Sequence, residues 1–124
     1  MNLMYQEIYE QSSLLRSIKS KIELILDEIS RSYHQNKPYN IVVAARGSSD
    51  NACHYFKYLA EVYLGISVTL AAPSVITLYN GHIDYSHSIV IGVSQSGQAQ
   101  DVLGILKMAN TQKARVISIT NDQY

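Results

Sequence analysis

The period of the apolar positions changes near residue 40, and that change divides the chain. From Ser12 to about Tyr33, Leu15, Ile18, Ile22, Ile25 and Ile29 recur at steps of three and four, which predicts one helical stripe. Arg16, Lys19, Lys21, Glu23, Asp27 and Glu28 lie mostly off it. So regular a stripe suits either a solvated helix covering a core or a helix packed on another subunit. "NKPYN" then ends the helix, because Pro38 biases its neighbour toward extended backbone. Residues 1–38 are read as an N-terminal helical segment and 39–124 as a domain.

Past that point short apolar runs alternate with amphipathic ones. Ile41–Ala45 is continuously apolar, the mark of a strand buried on both faces. Ser49–Leu64 reads as a helix with Ala52, Tyr55, Phe56, Leu59, Val62 and Tyr63 inward and Gly65 just past its end. Ile66–Ala72 is a second strand stopped by Pro73, Ser74–Tyr79 a short helix or turn, and "NGHIDYSH" a loop. Ser88–Val93, Gln98–Ala109 and Arg115–Thr120 complete the series as strand, helix and strand. This alternation predicts a flavodoxin-like αβα sandwich whose parallel sheet has the order 2-1-3-4. The sheet is expected to be truncated after its fourth strand, because "NDQY" leaves no covering helix. A fragment, or a subunit completed by another chain, is the expectation.

Composition narrows the class of function. Ten Lys plus Arg balance ten Asp plus Glu, and no basic run is present. The chain thus has no electrostatic footprint for nucleic acid or an anionic membrane, and neither is expected as a partner. No apolar run approaches a membrane span, no signal-peptide core opens the chain, and the lone Cys53 excludes an internal disulfide. A cytoplasmic location follows as the expectation. His34, His54, His82 and His87 lack metal-ligand spacing, so no metal or other cofactor is expected. Cys53 falls in a first helical turn, where it is either activated or a packed small hydrophobe.

The candidate chemistry sits in two loops. The first predicted strand runs into "RGSSDN", with Gly47, Ser48 and Ser49, and the third into "SQSGQ", with Ser94, Gln95, Ser96 and Gly97. Each loop leaves the carboxyl end of a strand and opens a helix. In the order 2-1-3-4 those strands are neighbours at the topological switch point, where open α/β sheets bind ligands. A helix N-terminus offers unpaired N–H groups and about half a positive charge. With the Ser94 and Ser96 hydroxyls and a close-approach glycine, it makes a phosphate cradle without a cation. The other reading is that Ser49 or Asp50, and likewise Ser96, simply cap helices. Arg46 either adds charge to the site or makes a structural ion pair.

These segments also resemble a known family. "ARGSSDNACHYFKYLAE", "AAPSV" and "VIGVSQSGQAQDVL…ARVISITND", spanning Tyr39–Asp122, are similar to the first sugar-isomerase (SIS) domain of the glucosamine-6-phosphate synthase and deaminase group. "EIYEQ", Glu7–Gln11, resembles the segment leading into that domain, and the Arg-Gly-Ser-Ser-Asp form resembles the stand-alone members. The resemblance implies that Ser94, Gln95, Ser96 and Gly97 bind the phosphate of a hexose 6-phosphate, either fructose 6-phosphate or glucosamine 6-phosphate. It implies sugar contacts from Gly47, Ser48 and Ser49, and a homodimer. A family threonine two residues past the glycine is here Ala99, so one hydroxyl is missing.

The family interconverts aldose and ketose phosphates with a Glu, a Lys and a His supplied by a second SIS domain and a C-terminal tail. No catalytic residue is therefore expected in this chain, which would be the N-terminal part of an isomerase or deaminase of amino-sugar metabolism, without a glutaminase domain and inactive alone. The alternatives are a module that senses a sugar phosphate without turning it over, or a scaffold that only dimerises. The neutral single helix at the N-terminus disfavours a DNA-binding regulator, and intact Ser94 and Ser96 disfavour the scaffold.

Overall fold

Asn2 opens the first helix by accepting a hydrogen bond from the Met4 amide at 3.3 Å, so the helix begins well before Ser12. The computed structural model describes residues 2–121, and they divide between Lys37 and Pro38 into two compact units. The first unit is the helix α1, Leu3–Gln35. The stripe read from the sequence opens only at Ser12. The Ser13 hydroxyl donates to the Glu10 carbonyl at 2.8 Å, and Ser17 does the same to Leu14. Such back-bonding lets serine sit inside a helix. No residue of α1 is buried.

The second unit is the predicted sandwich. Its elements are β1 (Asn40–Ala45), α2 (Ser48–Leu64), β2 (Ser67–Leu70), α3 (Ser74–Thr77), β3 (Ser88–Val93), α4 (Gln100–Thr111) and β4 (Arg115–Ile119). The four strands are parallel in the order β2-β1-β3-β4. Ile41 to Ala45 are all buried, as a strand with helices on both sides requires. α4 starts at Gln100, two residues later than the pattern predicts, and β2 is shorter than predicted, although the Ala71 amide still bonds the Val43 carbonyl at 2.8 Å.

On one face, Val42, Ala44 and Val90 from the strands meet Val102, Ile105 and Ala109 of α4. The last three follow the helical spacing that aims side chains at one surface. Gly92 permits the close seat of this helix, because a Cβ there would lie 2.6 Å from a Leu106 methyl. Tyr85 joins the same core from the loop before β3. Gln112 holds that loop: its side-chain oxygen accepts from the Tyr85 amide at 2.5 Å and its nitrogen donates to the Ile83 carbonyl at 2.8 Å.

α2 packs differently from the sequence expectation. Its buried residues are Cys53 and Ala60, whereas Tyr55, Leu59, Val62 and Tyr63 are exposed. The two small side chains, seven residues apart, let the helix lie close to the sheet, and the bulky ones are left outside. At the sheet edge, Lys57 Nζ donates to the Val68 carbonyl at 2.6 Å and Glu61 accepts from the Val68 amide at 3.1 Å. Side chains of α2 thereby occupy both backbone groups that Val68 would otherwise present at the edge. The Lys57 hydrogen bond, followed by that of Val68, holds the Glu61 carboxyl below its ordinary pKa.

Candidate functional site

β1 and β3 pair through Ala45 and Val93, so the two serine-bearing loops leave neighbouring strands at the same level. In the first loop Gly47 adopts φ 61° and ψ −134° as the N-cap of α2, with no side-chain cap. That backbone region is close to one that only glycine enters readily. It allows a sharp exit from the buried strand, after which Ser48 and Ser49 are the first residues of the helix. Neither Ser49 nor Asp50 is the cap residue that the sequence allows as an alternative.

The second loop is fixed from the far side by the end of β4. The Ser94 amide donates to the Ile119 carbonyl at 3.1 Å. The Gln95 carbonyl accepts from the Asn121 amide at 3.2 Å and from the Thr120 hydroxyl at 3.4 Å. A trans peptide sets its carbonyl and the next N–H in opposite directions, so this anchoring turns the Ser96 N–H away from the β4 end. Gly97 takes φ 67°, and its amide returns to the Ser94 carbonyl at 3.3 Å. Ser96 Oγ accepts from the Gln98 amide at 3.2 Å, which leaves its own proton to donate elsewhere. Ser96 is not the α4 cap; Ala99 is, without a side-chain bond.

A cavity of about 70 Å³ lies against this loop, bounded by Ser94, Gly97 and Ala99 on one side and by Ser118, Ile119 and Thr120 on the other. Gln95, Ser96, Gly47, Ser48 and Ser49 do not line it. Ser118 and Thr120, at the end of β4, border this cavity and are not among the residues that the sequence reading singled out. The available signal was that a fourth strand beside β3 must end at the same level.

The link between the two loops is an ion pair. Arg46, directly after β1, bonds through its guanidinium to the carboxylate of Asp101 in the first turn of α4. Of the two readings of Arg46, the structure contains the ion pair. Cys53 is buried, and burial, then the Asp50 charge, raises its thiol pKa. That makes it a packed hydrophobe rather than a nucleophile. His34, His54, His82 and His87 are exposed.

A parallel α/β sheet with polar loops at its switch point has the build of a small-ligand-binding domain. The sequence profile of the SIS domain matches residues 34–123. The chain belongs to the SIS domain family. It is 32% identical over 126 aligned residues to glutamine–fructose-6-phosphate aminotransferase (isomerizing) of Clostridium tetani, covering 97% of this chain and 21% of that protein. The chain thus spans about a fifth of the length of the curated relatives it matches. Among solved structures it is similar to a protein of Silicibacter pomeroyi DSS-3 provisionally described as a phosphosugar isomerase. That likeness has a TM-score of 0.87 and 28% identity, over 96% of this chain and 36% of the other. It is also similar to the C-terminal domain of glucosamine-fructose-6-phosphate aminotransferase from Francisella tularensis, with a TM-score of 0.56 and 27% identity over 70% of this chain and 24% of the other.

Proposed function

We propose that residues 39–124 form a phosphosugar-binding domain, the N-terminal portion of a protein with two SIS domains. In this reading Ser94, Gln95, Ser96 and Gly97 hold the phosphate of a hexose 6-phosphate. Gly47, Ser48 and Ser49 contact the sugar from the neighbouring loop. The observation that carries the reading is the pose of the Ser94–Gly97 loop. Its Gln95 carbonyl is anchored to the end of β4 and its Ser96 hydroxyl retains a proton to donate. Donors held in advance, beside a helix N-terminus, suit an anion. The names of the relatives, which concern fructose 6-phosphate amination and phosphosugar isomerisation, support the sugar as the rest of the ligand.

The parent protein is then an aldose–ketose isomerase, or a deaminase or aminotransferase-like enzyme of amino-sugar metabolism. The acid–base groups for that chemistry come from outside this chain. A lone cysteine suits a reducing cytoplasm. Calorimetric titration of this chain tests the reading. Fructose 6-phosphate and glucosamine 6-phosphate are expected to bind, and unphosphorylated fructose is not. Equal heats from fructose and its phosphate would overturn it.

The same proposal includes a homodimer. Leu15, Ile22 and Ile25, 42–66% exposed, lie along the three-four stripe of α1, the spacing by which two helices pack. Sedimentation at micromolar concentration is expected to give twice the chain mass, and Ile22→Glu with Ile25→Glu is expected to give the monomer. A monomeric parent chain would remove this part of the proposal.

A further inference from the structure

We infer that the Arg46–Asp101 ion pair sets the anion affinity of the Ser94–Gly97 loop, by cancelling a carboxylate charge at the helix terminus that adjoins it. The inference rests on the phosphosugar reading and identifies two positioning residues, neither of which touches the ligand.

Asp101 is the only charged residue between Ser94 and Asp101, and it stands in the first turn of α4. The field of the helix favours a negative charge at that end, whether it belongs to a side chain or to a bound anion. A carboxylate there stabilises the empty helix and repels a phosphate at the same terminus. Two anions would share one half-charge of helix dipole, so an unbalanced Asp101 weakens the cradle it helps to build. The loop brings no cation of its own to offset this charge. The offset comes from Arg46, which follows a different strand and lies 55 residues away in sequence.

Position makes this compensation local. β1 and β3 are paired up to Ala45 and Val93, so Arg46 leaves the sheet beside the start of the phosphate loop. The Asp101 side chain is 30% exposed and that of Arg46 63%. Screening therefore reduces the pair's own contribution to folding. Its effect on a second anion nearby persists, because that anion meets a neutral pair rather than a free carboxylate. Arg46 also stays occupied, which separates this arrangement from one in which the arginine itself grips the phosphate.

Titration with fructose 6-phosphate of the parent chain, Arg46→Gln, Asp101→Asn and the double variant tests the inference, at low and at high salt. Arg46→Gln is expected to weaken binding about three- to tenfold at low salt, the scale of a charge at a helix end. Adding Asp101→Asn is expected to restore binding to within about twofold of the parent, the coupling that two residues in one ion pair show. The Arg46→Gln penalty is expected to shrink as salt rises. A double variant as weak as Arg46→Gln would overturn the inference and make Arg46 a direct ligand. Arg46→Gln binding as tightly as the parent would overturn it as well, leaving a surface ion pair. No binding by the parent chain would instead overturn the phosphosugar reading, and this inference with it.

Discussion

Replacing Ser94 and Ser96 together by alanine is expected to abolish measurable binding of fructose 6-phosphate while the chain stays folded. A hydrogen bond to a charged group contributes about 1.5–3 kcal/mol. Loss of both hydroxyls therefore weakens binding by roughly two to four orders of magnitude. The fold tolerates the change because the loop's anchors are backbone groups. The Ser94 amide still reaches Ile119 and the Gln95 carbonyl still accepts from the Asn121 amide. The only side-chain bond lost among those described for the two serines is that from the Gln98 amide to Ser96 Oγ. Calorimetry and a thermal melt on one preparation check both halves. Undiminished binding would move the phosphate elsewhere, whereas a collapsed melt would show that the hydroxyls are structural.

The largest effect on stability is expected at Ile105. This side chain is 0% exposed and lies in the core between α4 and the sheet, with Val90, Val102 and Ala109. Ile105→Ala removes three carbons from a packed interior and leaves a cavity, which costs about 2–5 kcal/mol. Ile105→Val should cost only about 0.5–1.5 kcal/mol. In a domain of this size each kcal/mol lowers the melting temperature by about 4–8 °C. Alanine is therefore expected to shift the melt by roughly 10 °C or more. Urea unfolding with an unchanged slope would attribute the loss to the native state. A loss equal to that of Ile105→Val would mean that the core closes around the gap.

The fold was legible because two periods in the sequence were unambiguous. A continuous apolar run such as Ile41–Ala45 has one comfortable home, between two helical layers, and the structure buries all five residues. The alternation and the handedness of parallel crossovers predicted a parallel sheet, and the flavodoxin-like order 2-1-3-4 taken for it is the observed one. The inward face of α2 was not legible. Large side chains such as Tyr55 and Val62 looked like core, yet Cys53 and Ala60 are what the sheet admits. Hydrophobicity ranks a residue's tendency to leave water, whereas the distance between helix and sheet decides which residues fit. The start of α1 was placed too late because the regular stripe begins only at Leu15, whereas Asn2 caps the helix further upstream.

For the candidate site, the two loops and their level in the sheet were readable from position alone. The far wall of the cavity, Ser118 to Thr120, was not, because nothing in "RVISIT" marks its hydroxyls as facing β3's loop. Nor could spacing tell an Arg46 that meets a ligand from one that meets Asp101. That choice depends on which carboxylate stands opposite the strand end, a three-dimensional fact.

The bonding of Val68 to Lys57 and Glu61 guards one border of the sheet against strand addition. At Val68 both backbone groups that β2 would offer a further strand are already held by the protein's own side chains. Acid weakens this guard: Glu61 loses its charge as pH falls through its lowered pKa, and with it the ion pair to Lys57. At neutral pH a strand approaching this border must first displace a charged pair.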